Sequence, residues 1–178
     1  NTDDSRVIIL DSFSKRFSLC GARIGFACSR NQKIMDVMLR YGQSRLAASS
    51  IIQQMTTEAI NKNIDYIKKV VDKFSEQRQA LINGLKKIDG VIFQEPEGAF
   101  YIIAKLPVDD AEKFSKWLLT DYNDKNETIM LAPANGFYLT EGLGKDEVRI
   151  AYVLKKDDLV RAMEILNLAI SKWKTINH

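Results

Sequence analysis

Apolar residues recur at helical spacing through the middle of the chain, and this stretch constrains the fold of the whole chain most strongly. The spacing is close to 3.6 residues, with a change of phase near 61–63. The pattern predicts a shorter helix that ends at about residue 61, with Ser49 or Ser50 as its N-cap, and a long helix over about 64–88. Gly90 follows and is expected to end the long helix.

Two short strands are expected before these helices. Residues 7–10 are wholly apolar and β-branched at three of four positions, which predicts a strand buried on both faces, as in a parallel sheet. Ile24, Phe26 and Cys28 alternate with small residues and predict a second strand. A helix near 31–41 follows, with its apolar residues on one face.

After Gly90 the pattern changes to short strands that alternate with helices. Four apolar segments predict strands: 91–93, 99–104, 129–131 and 148–153. Asp109 and Asp110 begin one helix, and Asp157 caps a last one. This order predicts an α/β unit of about 85 residues after the long helix.

Charge and composition exclude several function classes. The chain has 26 basic and 23 acidic residues, mixed along its length, so nucleic-acid binding has little support. No apolar run approaches the ~20 residues that span a bilayer. Cys20 and Cys28 have neither zinc-ligand nor disulfide-framework spacing, and reduced thiols in a cytoplasmic protein fit best. His178 is the only histidine, so the chain by itself cannot build a Ser–His dyad or a multi-histidine metal site.

The segment after the first predicted strand carries the strongest chemical signal. Lys15 lies at the carboxyl end of that strand, where open α/β sheets bind ligands. Ser12 precedes it by three residues and Arg23 follows by eight, and hydroxyl and guanidinium donors suit a phosphate group. Gly21 and Gly25 allow the backbone to fold back closely. A lysine after a strand is more often a surface charge, and Ser-x-x-Lys also occurs in penicillin-binding enzymes.

The joint pattern is more specific than its parts. Ser-Phe-Ser-Lys, five residues, then Gly-Ala-Arg-Ile-Gly-Phe resembles the cofactor-attachment segment of the class I and II aminotransferases, which are pyridoxal-phosphate (PLP) enzymes of fold type I. Further family segments follow in order: Pro-Glu-Gly-Ala-Phe-Tyr at 96–101, a loop with Pro and Gly at 131–144, and Arg-Ile-Ala-Tyr at 149–152.

The resemblance implies an α/β fold with a divided organisation. Residues 1–63 would be the end of the PLP-transferase large domain, in which the lysine lies between two strands. Residues 64–178 would be a long interdomain helix and a small α/β C-terminal domain.

The resemblance also implies a role for each candidate residue. Lys15 would hold PLP as a Schiff base and shuttle the substrate proton, while Ser12, Arg23 and, as a weaker candidate, Ser14 would bind the cofactor phosphate. Arg149 would bind the substrate α-carboxylate, because a planar guanidinium matches a carboxylate bidentately.

The implied activity is transfer of an amino group between an amino acid, with aspartate as the first guess, and a 2-oxo acid in a homodimer. Arg45 could reach the neighbouring subunit's site and bind a second substrate carboxylate, although an exposed arginine at a helix end is the plainer interpretation.

Family members carry further cofactor contacts upstream of the lysine strand, so the resemblance predicts a fragment of a longer protein that is inactive alone and binds PLP poorly. Three alternatives stay open: another fold-type I PLP enzyme such as a lyase, synthase or decarboxylase; an effector-sensing aminotransferase-like domain of a regulator; or a structural domain without a cofactor.

Overall fold

The computed structural model describes residues 4–62 and 64–176 and divides the chain into two compact units. Unit 1 is Asn1–Val70 and unit 2 is Val71–His178. The boundary predicted from sequence falls at Asn63, which lies outside the described residues, as does His178. The assignment of residues 1–63 and 64–178 to two domains therefore stays a prediction.

Unit 1 begins with two antiparallel strands, β1 (Ile8–Ser12) and β2 (Gly25–Ser29). The register pairs the last residue of β1 with the first residue of β2. The connection between them contains a short helix, α1 (Phe13–Arg16), and a 3-10 turn, Cys20–Ala22. The strand–loop–strand order predicted around the lysine is thus confirmed.

The prediction that the first strand is buried on both faces, as in a parallel sheet, was wrong. Parallel strands need a long crossover, and this connection instead turns the chain back directly, so β1 and β2 pair antiparallel. Ile9 is 51% exposed and Leu10 is 72% exposed, so the strand is not buried on both faces. Among the described residues of unit 1, only Thr56 is buried, which means that no neighbouring element of this unit covers the apolar strand.

Three helices follow the sheet: α2 (Gln32–Arg45), α3 (Ser50–Lys62) and α4 (Ile64–Leu85). Their number and order match the prediction, although α2 continues four residues beyond the expected end and α4 stops three residues before it. Ser49 precedes α3 and its carbonyl accepts from Gln53 N at 2.9 Å. The residues of α4 from Val71 onward belong to unit 2.

Unit 2 contains four strands: β3 (Ile92–Phe93), β4 (Tyr101–Lys105), β5 (Ala132–Pro133) and β6 (Glu147–Ala151). They form an antiparallel sheet in the order β3-β4-β6-β5. Three of the four predicted strand segments coincide with β3, β4 and β6 to within a few residues. Side chains on β4 and β6 alternate between buried and more exposed positions, so one face of the sheet covers the core.

The strand predicted at 129–131 was wrong in position. Pairing with β6 begins only at β5, where Ala132 lies opposite Arg149 and Pro133 lies opposite Val148. Leu131 instead buries its side chain in the core, which explains why its segment looked strand-like in sequence.

Two helices complete unit 2, α5 (Ala111–Thr120) and α6 (Lys156–Ile176). The Asp110 carboxylate caps α5 and accepts from Glu112 N at 3.0 Å and Lys113 N at 3.1 Å, as predicted. Asp157 does not cap α6, because that helix already begins at Lys156. Asp157 lies in the first turn of α6, where a carboxylate still stabilises the helix dipole.

The core of unit 2 is made by the sheet and by α4, α5 and α6. Its largest fully buried side chains are Tyr152, Phe114, Leu81, Leu85, Leu106, Leu118, Leu159, Leu166 and Val148. Over the described ranges, no helix combines the length and the apolar character that a membrane crossing requires.

Gly84 is the point of close approach between α4 and α6, so Gly84→Ala is expected to destabilise the protein. A Cβ at this position would lie 2.4 Å from Met163 Cγ, which forces the helices apart. We expect a loss of about 1–3 kcal/mol in the free energy of unfolding, measured by urea denaturation.

The matched control is Gly42→Ala within α2, where nothing lies within 4 Å of the added Cβ. This change should be neutral or stabilising by about 0.5–1 kcal/mol because alanine favours a helix. Equal stability of Gly84→Ala and the unchanged protein would contradict the packing described for α4 and α6.

Candidate functional site

The first group of candidate residues meets at one end of the β1–β2 sheet. Ser12 ends β1 and caps α1, and its Oγ accepts from Ser14 N at 3.1 Å. The two hydroxyl groups of Ser12 and Ser14 lie 2.8 Å apart. Sequence reasoning treated the serines as separate candidates, and the structure brings them together in one hydrogen-bonded pair.

Arg23 joins this group because the chain returns beside β1 just before β2 begins. Phe13 N donates to Ile24 O at 3.3 Å, which ties the start of α1 to the residue that follows Arg23. Arg23 itself has a left-handed backbone, with φ of 53°, and its Nη1 donates to Cys20 O at 3.0 Å. Arg23 is exposed, and among the residues that the structure describes the rest of its guanidinium makes no hydrogen bond or ion pair.

Gly25 permits the close pairing on which this arrangement depends. Its partner in the register is Ser12, and a Cβ at Gly25 would lie 2.7 Å from the Asp11 carbonyl oxygen. That distance is too short for any other residue without movement of the backbone. Of the two glycines that the sequence suggested, Gly25 is therefore required for the close approach. The suggestion was wrong for Gly21, because nothing lies within 4 Å of a Cβ added there.

Lys15 lies on α1 between the serines and Arg23 in sequence, and its side chain is exposed. Within residues 4–62 and 64–176 its ammonium group makes no hydrogen bond or ion pair. The neighbouring Arg16 differs, because its Nη2 lies 2.9 Å from Asp11 Oδ2. Lys15 therefore has an unpaired amino group on α1, the short helix that Ser12 caps and that contains Ser14.

This set of donors fits PLP. A phosphate group takes hydrogen bonds from hydroxyl and guanidinium donors, as supplied by Ser12, Ser14 and Arg23. An aldehyde requires a free primary amine, and Lys15 supplies one on the same turn as the serines.

Arg45 is the last residue of α2 and is exposed. In the part of unit 1 that the structure describes, it has no hydrogen bond or ion pair. Its placement agrees with the plainer interpretation from sequence, an exposed arginine at a helix end. Its role toward a second carboxylate stays a prediction.

Arg149 belongs to unit 2 and lies in the middle of β6, with Ile103 opposite it on β4 and Ala132 opposite it on β5. Its neighbours Val148 and Ile150 are buried, whereas Arg149 lies on the other face and is partly buried. Across the described residues of both units, its guanidinium makes no ion pair.

Two aromatic rings that sequence reasoning missed contact Arg149. Its Cζ lies 4.7 Å from the centroid of the Tyr101 ring and 4.8 Å from the centroid of the Phe137 ring. Tyr101 was noted only as part of a motif. Phe137 was not singled out, and no local pattern could have indicated that it meets a strand residue twelve positions later.

The segment that holds Phe137 is fixed on both sides. Asn135 Nδ2 donates to Glu112 Oε2 at 3.1 Å, and the Tyr138 hydroxyl donates to Glu147 Oε2. The hydrogen bond to Glu147 raises the pKa of Tyr138 above its usual value, so the phenol keeps its proton through the neutral range. Gly144 adds to the fit, since a Cβ there would lie 2.5 Å from the Tyr138 ring.

The Pro-Glu-Gly-Ala-Phe-Tyr segment is held against the core next to β4. The Tyr152 hydroxyl lies 3.0 Å from both Gly98 O and Ala99 O, and Arg78 Nη1 donates to Pro96 O at 3.0 Å. Burial raises the pKa of Tyr152, so its hydroxyl stays a donor. These contacts set the position from which Tyr101 begins β4.

Comparison with known proteins agrees with this fold. The model of the family "Aminotransferase class I and II" matches residues 1–166, and the chain therefore belongs to this family. The aspartate aminotransferase of Pyrococcus horikoshii is 28% identical over 171 residues, which cover 94% of this chain and 42% of that protein. The aspartate aminotransferase of Rhizobium meliloti is 26% identical over 180 residues, with the same coverages.

Solved structures give the same result. The aspartate aminotransferase from Rhizobium meliloti aligns with a TM-score of 0.77 at 27% identity, covering 94% of this chain and 42% of the other. The α-aminoadipate aminotransferase from Thermus thermophilus, complexed with N-(5'-phosphopyridoxyl)-L-leucine, aligns with a TM-score of 0.79 at 21% identity, covering 95% and 43%. At 21% identity, the likeness to the Thermus thermophilus structure shows the fold alone.

The predicted family and the α/β fold class are thus confirmed, and the family match supports PLP as the cofactor. The chain spans about 42% of the length of the curated relatives that it matches.

Gly25→Ala is expected to loosen the end of the sheet that carries Ser12. The added Cβ would push against the Asp11 carbonyl, so the pairing of β1 with β2 should weaken by about 1–3 kcal/mol. Hydrogen–deuterium exchange of peptides that cover the two strands should become faster in the variant. Gly21→Ala is the control, because nothing lies within 4 Å of its added Cβ. Unchanged exchange in Gly25→Ala would contradict the close approach.

Proposed function

We propose that the protein to which this chain belongs is a PLP-dependent aminotransferase that moves an amino group between an amino acid and a 2-oxo acid. The observation that carries the proposal is the unpaired amino group of Lys15 on the same turn as the Ser12–Ser14 hydroxyl pair. The family membership of residues 1–166 supports the same reaction class.

In this proposal, the phosphate of PLP is bound by Ser12, Ser14 and Arg23. The two serines offer hydroxyl donors from one turn, and Arg23 offers the part of its guanidinium that does not donate to Cys20. Charge-assisted hydrogen bonds of this kind are stronger than neutral ones, so they can anchor the cofactor at the end of the sheet.

Lys15 has two successive tasks in the proposed reaction. It is the attachment point for the aldehyde of PLP, and after the substrate has replaced it, its amine moves the proton at the substrate Cα. The bound cofactor supplies an electron sink for the bonds at that carbon. A lysine suits both tasks because its flexible four-carbon stem lets the amine stay near the carbon after it has been displaced.

Arg149 is proposed to bind the substrate α-carboxylate. A guanidinium fork matches a carboxylate with two parallel hydrogen bonds, and no carboxylate of the described residues pairs with this arginine. Glu147 lies two residues before it on β6 and accepts from Tyr138 instead.

The proposed donor is aspartate, since the curated relatives from Pyrococcus horikoshii and Rhizobium meliloti carry the name aspartate aminotransferase. Arg45 is the proposed contact for the second carboxylate, reached across a homodimer interface. The dimer and a cytoplasmic location are part of the same proposal.

The test of the Lys15 assignment is reductive trapping. Borohydride treatment of the PLP-loaded protein, followed by peptide mapping, should place the reduced cofactor on Lys15. Lys15→Arg should abolish the label and lower kcat by about 10²–10⁴-fold, because the proton-transfer group is lost. Lys33→Arg, a change at an exposed lysine in α2, is the control and should leave the label in place. A label on another lysine, with Lys15 unmodified, would overturn the assignment.

The 178-residue chain alone is expected to be inactive. Lys15 is exposed, unit 1 buries only Thr56 among its described residues, and the chain spans about 42% of its curated relatives. Mixing the purified chain with PLP, aspartate and 2-oxoglutarate should therefore form glutamate no faster than PLP without protein. Detectable transamination by the isolated chain would contradict this part of the proposal.

A further inference from the structure

The guanidinium of Arg149 contacts two aromatic rings that come from different parts of unit 2. Tyr101 is on β4, the neighbour of β6 on one side, and Phe137 follows β5, the neighbour on the other side. Each centroid is less than 5 Å from Cζ, at 4.7 and 4.8 Å. Among the described residues, Tyr101 and Phe137 form no ring–ring contact with each other, so each ring meets the guanidinium separately.

The rings are held in place independently of Arg149. Tyr101 is fixed by the register of β4 with β6, where it lies opposite Ala151. Phe137 is fixed by the hydrogen bonds of Asn135 and Tyr138 on either side of it. Phe137 nevertheless remains 55% exposed, so burial of its own ring explains little of its placement. The contact that Phe137 makes in this position is with the Arg149 guanidinium.

We propose that Tyr101 and Phe137 are positioning residues that orient the Arg149 guanidinium and leave its N–H edge as the open side, so that the site selects a planar carboxylate over a tetrahedral oxyanion. This inference rests on the proposed role of Arg149 in binding the substrate carboxylate. Arginine contacts of this kind are attractive and fix the guanidinium, which lowers the loss of side-chain freedom on binding.

The selectivity follows from the shapes of the two groups. When a carboxylate binds the guanidinium edge bidentately, both oxygens and their carbon lie in the guanidinium plane. A sulfonate or phosphonate can place two oxygens in that plane, but its third oxygen and its carbon must project out of it. In the proposed arrangement, that projection is toward the Tyr101 and Phe137 rings, whose centroids lie 4.7 and 4.8 Å from Arg149 Cζ.

The test compares acetate with methanesulfonate, two anions of equal charge that differ in the planarity of the anionic group. Their competitive inhibition constants against the amino donor are measured on the PLP-loaded protein. Their dissociation constants are measured separately on the 178-residue chain, from the NMR shift of the Arg149 Nε–H group. The second readout does not depend on turnover.

The unchanged protein should prefer acetate. Phe137→Leu and Tyr101→Leu should each lower this preference about two- to fivefold, the range expected from loss of one exposed cation–π contact. Phe137→Tyr and Tyr101→Phe retain a ring and should retain the preference. Leu139→Ala is the control, because Leu139 is fully exposed on the same loop and should leave the preference unchanged.

Arg149→Met distinguishes failure of the proposed carboxylate site from failure of the inference about the two rings. If this change weakens both anions while the leucine variants keep the original preference, Arg149 binds carboxylate and the inference about the rings is wrong. If Arg149→Met leaves both affinities unchanged, the proposed carboxylate site itself is wrong, and the inference falls with it. Because Phe137 is more than half exposed, Phe137→Leu should fold normally, and a thermal melt of each variant checks this.

Discussion

The antiparallel register of β4 with β6 is the constraint on which unit 2 depends. It pairs five residues in each strand, and alternate side chains point to opposite faces. Val148 and Ile150 fill the core from one face, and this leaves Arg149 on the other. A shift of one residue would exchange the faces and bury the guanidinium without a partner, at a cost of several kcal/mol. The apolar core and the candidate carboxylate site are therefore set by the same pairing.

Unit 1 depends on a different kind of constraint. Its described residues bury almost no side chain, so its candidate cofactor site is arranged mainly by the backbone. The approach of Gly25 to Asp11 lets β2 return beside β1, and the Ser12–Ser14 pair closes the turn that carries Lys15. Such a site can present its donors while its lysine remains exposed.

Local patterns predicted most of the secondary structure because each depends on neighbours in sequence. The change of phase near 61–63 separated α3 from α4, and Asp110 marked the start of α5 through its side-chain oxygen. Errors arose where residues distant in sequence decide the pairing and the burial of a segment. The surroundings of strand 7–10 depend on which strand pairs with it, and segment 129–131 lost its place in the sheet because pairing with β6 starts one residue later. Apolar residues alone do not show whether they face a partner strand or a helix.

The sequence alone indicated the family, since Ser12, Lys15 and Arg23 occur at a spacing that resembles its cofactor-attachment segment. It also determined that Arg149 alternates with buried neighbours on a strand. These features depend on short distances along the chain and on the two-residue period of a strand. Only the tertiary structure decided that both Phe137 and Tyr101 contact the Arg149 guanidinium. The physical reason is that the path of the loop between β5 and β6 is set by hydrogen bonds of Asn135 and Tyr138 to residues distant in sequence, which no local pattern encodes.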